Sequence, residues 1–113
     1  SLQLDLIISS SELQPELLNE LNLLTPFGQE NPEPILAIRK TKLAHAPKKV
    51  GSGEHFQFSV HNGTRHIQGI AWKMASRMPP ADTEIDLAFR LRWNEWNGRK
   101  SLQMVLEDWK VSV

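Results

Sequence analysis

Leu2, Leu4, Leu6 and Ile8 alternate with Gln3, Asp5 and Ile7. A period of two predicts a strand. Ser9 precedes Glu12 by three residues and Ser11 precedes Gln14 by three, so either pair has capping-box spacing. Leu13, Leu17, Leu21 and Leu24 then share one helical face, with Leu18 beside them, while Glu12, Glu16 and Glu20 line another. The spacing predicts a helix over 12–24 with Pro15 in its first turn, where proline is tolerated. Thr25-Pro26 ends it, because the residue before a proline avoids the helical region. Residues 25–34 hold three prolines and one glycine and read as a rigid connector, with Phe27 as its apolar anchor.

From residue 35 the pattern is all β. Ile35 to Ala46 is a long strand with imperfect alternation, and Pro47 to Gly53 is a basic loop. Phe56, Phe58 and Val60 alternate with His55, Gln57, Ser59 and His61. Asn62-Gly63 is a strong hairpin signal, and Arg65 to Trp72 is the return strand, with Gly69 marking a bulge or bend. Residues 73–82 break the pattern and leave room for one helical turn before Pro79-Pro80. Ile85, Leu87, Phe89, Leu91 and Trp93 then alternate, Asn97-Gly98 closes a second hairpin, and Leu102, Met104 and Leu106 alternate in the last strand.

Three strands, a non-β link and two more strands match a five-stranded Greek-key barrel of the OB type, preceded by an N-terminal strand and one helix. The structural rival is a six-stranded sandwich. The expected division is 1–34 for strand, helix and connector, and 35–113 for the barrel. A length of 113 residues fits one domain. The absence of cysteine excludes a disulfide framework and thiolate metal sites. No apolar run reaches the roughly 18 residues of a membrane span, so no membrane partner is expected and the cytoplasm is the default compartment. The chain opens at Ser1 inside an alternating pattern, which reads as a piece of a longer protein.

The net charge of zero conceals an asymmetry. Residues 1–38 carry six carboxylates and no Lys or Arg, whereas residues 39–113 carry all 13 cations and the other seven acids. Such a split points to an acidic docking surface and a basic binding surface, or to two ordinary solvated faces.

Catalytic chemistry finds no constellation. His45, His55, His61 and His66 fit no zinc spacing, and no metal site is expected. Asp82, Glu84 and Asp86, or Glu107 and Asp108, pair with no histidine at motif spacing. There is no nucleophile elbow, Walker loop or dinucleotide fingerprint. The chain alone is therefore expected not to be an enzyme and to need no cofactor.

Nucleic-acid chemistry is better supplied. Arg39, Lys40, Lys42, Lys48 and Lys49 fall in a window free of acids, over the first barrel strand and the loop after it. Arg90, Arg92, Arg99 and Lys100 surround the last hairpin together with Trp93 and Trp96. These are the two loop regions where OB folds bind. Single strands are held by cations on phosphates and by rings stacked on bases. Trp93 continues the inward phase and is expected in the core, the face of Trp72 stays open, and Trp109 is expected against the helix or a further domain. His55 and Gln57 face outward, toward bases or water. The candidate interface is thus Arg39, Lys42, Lys48, Lys49, His55, Gln57, Arg90, Arg92, Trp96, Arg99 and Lys100.

The Pro26-Phe27-Gly28 segment, followed by Asn31-Pro32-Glu33-Pro34 and preceded by the Leu17–Leu24 helix, resembles the C-terminal OB domain of RecJ, the single-strand-specific DNA exonucleases. His55, the Asn94-x-Trp96-x-Gly98 hairpin, Gln103 and Asp108 extend the likeness over essentially the whole chain. Glu30 stands where the family has glycine, and Gln57 where a basic residue is common. The resemblance implies a parent that degrades single-stranded DNA from the 5′ end in repair and recombination. Its manganese or magnesium would bind in two other domains. This chain would be the module that holds the strand, joined to the nuclease domains through residues 1–24. The rival function is a protein dock that braces the nuclease core or receives a single-strand-binding protein.

Overall fold

The computed structural model describes residues 4–24 and 33–113. Strand β1 (Leu6–Ile8) is followed by a 3-10 turn over Ser10–Glu12 and by helix α1 (Pro15–Leu24). Six further strands follow: β2 (Leu36–Thr41), β3 (Lys48–Val50), β4 (His55–His61), β5 (His66–Ala71), β6 (Ile85–Trp96) and β7 (Arg99–Val111).

The helix starts later than its leucine spacing predicts. Ser9 and Glu12 do bond, with the Ser9 N–H donating to the Glu12 carboxylate at 3.0 Å. They cap the 3-10 turn, however, and Leu13 leaves it with a non-helical ψ of 82°. Pro15, lacking an N–H, then opens α1, a position that wants none.

The strands form one sheet in the order β1-β2-β6-β7-β5-β4-β3. The β1–β2 and β5–β7 pairs are parallel and the others antiparallel. Among the described residues the sheet therefore has seven strands, against the expected five-stranded barrel and its preceding strand. The expected N-terminal strand, β1, joins the sheet as the parallel partner of β2. The long first strand expected over 35–46 ends early, at Thr41. Lys40 adopts a left-handed φ of 53°, the β2–β6 register shifts between Ile38 and Thr41, and Leu43 turns into the core. The expected basic loop then supplies β3, whose Lys48, Lys49 and Val50 pair with Gln57, Phe56 and His55.

A single core closes the architecture. Ile38 of β2, Phe56 and Val60 of β4, Phe89 of β6 and Met104 of β7 share it with Leu13, Leu18 and Leu21. Helix α1 thus covers the sheet's interior with its leucine face. Gly69 makes no bulge, since its β4–β5 register is continuous. It sits opposite Phe58, whose ring occupies the space a Cβ would take, 2.2 Å away. The connection after β4 spans residues 62–65 rather than a two-residue turn. The buried Asn62 side chain accepts the N–H groups of Thr64 and Arg65, both at 2.9 Å, and donates to the Leu13 carbonyl at 2.7 Å. Asn97 and Gly98 do make the expected tight hairpin, with φ of 51° and 74°. Residues 73–82 form turns without a helical turn.

Candidate nucleic-acid interface

Strand register decides which side chains share the outer surface. Directly paired residues project to the same side. One transverse row therefore runs Lys48, Gln57, Ile70, Val105, Arg90 across β3, β4, β5, β7 and β6. The next runs Ser59, Gln68, Gln103, Arg92. Beyond them lie the pairs His61–His66 and Ser101–Asn94. Cations stand at both margins, and amide side chains occupy the middle. Ile70 and Val105 are buried although they lie outside the main core.

Arg90 and Arg92 are not free cations. Arg92 Nε donates to Glu33 Oε1 and Oε2 at 3.1 and 3.0 Å, and its Nη2 donates to Oε1 at 2.5 Å. Arg90 Nη1 donates to the same Oε1 at 3.2 Å, while its Nε is ion-paired with Glu107. The Arg92 hydrogen bond leads the causes that hold the Glu33 carboxyl below its ordinary value, and Glu33 in turn raises Arg92. The Arg92 side chain remains 45% exposed, against 24% for Glu33.

The remaining candidates separate into three places. Lys48 and Lys49 are exposed on β3, and Lys49 borders a 380 Å³ cleft with Gly53, Glu54, Lys73 and Ser76. Half-buried His55 accepts the Lys73 N–H on Nδ1 at 2.8 Å, so that nitrogen orders the exit of β5. The β6–β7 tip carries Trp96, 75% exposed and paired with Arg99, and Lys100, which lies 3.8 Å from Glu95 and over the half-buried Trp93. Arg39 lies apart, beside Asp86 and Lys110 under exposed Ile7, and Lys42 is exposed in the link after β2.

The sequence pattern around Gly69 assigns Trp72 no face. Its indole is 57% exposed and meets the His55 ring edge-on, 4.9 Å between centroids. The Phe56–Ala71 pair puts the residue that follows β5 opposite His55, which is the signal that would have found it. Half-buried Trp109 packs against the main core. The Arg77 guanidinium covers its ring at 4.5 Å, and Trp109 Nε1 donates to the Arg77 carbonyl at 3.1 Å.

A second cleft, 430 Å³, opens between the start of α1, the β4–β5 connection and the last hairpin. Arg65, His66, Gln68, Trp93 and Lys100 are among its lining residues. His66 also touches the rings of His61 and His45, at 4.9 and 5.4 Å. Among the described residues, no group of three His, Asp or Glu side chains stands where it could hold a metal ion. The manganese or magnesium implied by the resemblance therefore finds no fitting donor set in these residues.

The profile of the RecJ OB domain matches residues 4–108. The chain belongs to the RecJ OB-domain family. It is 32% identical over 100 residues to the single-stranded-DNA-specific exonuclease RecJ of Thermus thermophilus, covering 85% of this chain and 13% of that protein. The crystal structure of Thermus thermophilus RecJ with Mn2+ superposes with a TM-score of 0.68 at 28% identity, over 95% of this chain and 15% of that one. A second single-stranded DNA binding protein of Mycobacterium smegmatis shares the fold, with a TM-score of 0.54 at 14% identity over 69% of this chain and 84% of that one. The chain thus spans about one-seventh of the RecJ proteins it matches. Within the RecJ OB family its Glu33, His55, Trp96 and Gln103 acquire places in three dimensions. Glu33 braces two arginines, His55 orders a loop, Trp96 stands at a hairpin tip and Gln103 lies mid-face.

Proposed function

We propose that this RecJ OB domain holds single-stranded DNA for a metal-dependent 5′–3′ exonuclease acting in DNA repair and recombination. The observation that carries the reading is the outer face of β3, β4, β5, β7 and β6. Its amide-rich centre lies between Lys48 and the Arg90–Arg92 pair. Exposed Trp72 and Trp96 supply stacking surfaces at opposite ends of it. Lys73 follows Trp72 and Arg99 pairs with Trp96, adding positive charge beside those rings, while Lys49 lines a cleft with Lys73 and Lys100 lies over Trp93 on the other side of the hairpin. His55 and Gln57 complete the contact set, while Arg39 and Lys42 would meet the strand only at its margin. The chain itself contributes binding, and the manganese or magnesium chemistry belongs to nuclease domains outside it. Residues 1–34 would form the joint to those domains and residues 35–113 the strand-holding barrel, in a cytoplasmic enzyme.

Fluorescence anisotropy of a labelled dT oligomer at two salt concentrations, with duplex DNA as control, tests the reading. Salt-sensitive binding that favours the single strand supports it, and no binding at low salt refutes it. A docking role toward the nuclease domains or a single-strand-binding protein draws on a different patch. There Leu4 and exposed Ile7 border a 330 Å³ cleft with Arg39, Asp86, Asp108 and Lys110.

A further inference from the structure

Arg90 and Arg92 occupy the margin of the proposed strand-binding face, yet a carboxylate already fills their forks. Glu33 reaches them from an irregular segment, not from the sheet. The chain is fastened just after it, where the Ile35 N–H donates to Asp5 Oδ2 and the Asp5 N–H to the Ile35 carbonyl, both at 2.8 Å. Glu33 therefore lies outside the strand ladder, two residues before that anchor, and its carboxylate can leave without opening a ladder bond. The guanidinium edge that grips two carboxylate oxygens matches two phosphate oxygens equally well.

We propose that Arg90 and Arg92 form a phosphate-binding site closed in cis by Glu33, and that a bound single strand displaces this carboxylate. The proposal rests on the single-strand reading above and adds its regulation. With Glu33 in place, two guanidiniums face two carboxylates, Glu33 and Glu107. Once Glu33 leaves, Glu107 alone remains, and one phosphodiester restores the balance. The tethered carboxylate competes at an effective concentration on the order of millimolar. A mononucleotide with a single weak contact does not displace it, whereas a strand anchored at Lys48, Trp72 or Trp96 does. Glu33 thereby sets a length threshold, and anything that draws its carboxylate off Arg90 and Arg92 opens the site.

The test compares dT oligomer binding by the wild-type chain, Glu33→Gln, Arg92→Gln and the double variant. Glu20→Gln, on the exposed side of α1, controls for net charge. Each single-strand phosphate contact contributes a salt slope of about −0.7. At about 50 mM salt, one contact therefore corresponds to roughly five- to tenfold in affinity. Glu33→Gln is expected to bind that much more tightly and to steepen the slope by about 0.7 to 1.4. Arg92→Gln should cost little in the wild type and remove most of the gain in the double variant. In the wild type, the Arg92 Nε–H resonance should shift on adding oligomer and stay unmoved with dTMP, a readout independent of any variant's folding. Equal or weaker binding by folded Glu33→Gln, an equal gain in Glu20→Gln, or an Arg92 resonance blind to the oligomer overturns the proposal alone. Absence of oligomer binding by every variant overturns it together with the single-strand reading.

Discussion

Arg92 donates to both carboxylate oxygens of Glu33 across 59 residues of chain, from Nε at 3.1 and 3.0 Å. The contact ties the segment before β2 to β6. It also ties stability to acid. The Arg92 hydrogen bond is the largest influence on Glu33, and it outweighs burial to hold the carboxyl below its ordinary 4.5. A carboxyl depressed in the folded state stabilises fully above its unfolded value. That contribution is lost as pH falls through the lowered folded value. Thermal melts should therefore hold steady down to about pH 5 and fall below about pH 4.5. The acid-induced fall should be smaller in Glu33→Gln. It should not vanish, because Asp86 is also depressed, chiefly by the Ser112 hydroxyl it accepts at 2.6 Å.

Gly69 predicts a packing failure. A Cβ there would stand 2.2 to 2.5 Å from three atoms of the Phe58 ring, inside contact distance. Phe58 is buried in the core and cannot swing away without displacing its neighbours. Gly69→Ala should cost about 1–3 kcal/mol, as overpacking does, read as a lower urea midpoint at unchanged slope. Gly69→Ala combined with Phe58→Leu should melt higher than Gly69→Ala alone.

Asn62 is the second internal dependency. Its side chain makes three hydrogen bonds, to the Leu13 carbonyl and from the Thr64 and Arg65 amides. Asn62→Ala leaves these groups to find water or go unpaired, at roughly 1 kcal/mol for each net bond. A loss of about 2–3 kcal/mol in urea unfolding is expected. Asn62→Asp keeps the two accepted bonds but sets a buried carboxylate oxygen against the Leu13 carbonyl, so at neutral pH it should lose at least as much as Asn62→Ala.

These dependencies show what the residue pattern carried. The alternation of 85–93 and the Asn97-Gly98 turn act over neighbouring positions, and the hairpin stands as predicted. The early end of the first strand was invisible because a left-handed Lys40 has no compositional signature. Gly69 was legible as special, but the reason lies on another strand, in the ring of Phe58. The site divides along the same line between local and distant signals. Arg90 and Arg92 stood out as outward cations, while their carboxylate partner lies 57 and 59 residues away, in a motif known by its prolines. His55 looked like a base contact, and only the fold commits its Nδ1 to Lys73.

The tryptophans separate binding from stability. Trp72 and Trp96 are exposed, and Trp93 packs against the core. A base stacked on a ring is worth about 1–3 kcal/mol, or roughly five- to 150-fold in affinity. Trp72→Ala and Trp96→Ala should weaken dT oligomer binding within that range and leave the melting temperature near wild type. Trp93→Ala should lower the melting temperature first. Lys48→Ala should act differently again, reducing affinity more at low salt than at high and making the slope shallower by up to about 0.7. A Trp72→Ala variant with unchanged affinity would remove the β5 exit from the binding face and leave the strand to the β6–β7 tip. An effect of Trp72→Ala that vanished at high salt would mean that the indole serves the neighbouring Lys73 and Lys49 instead of stacking on a base, since stacking survives screening and phosphate contacts do not.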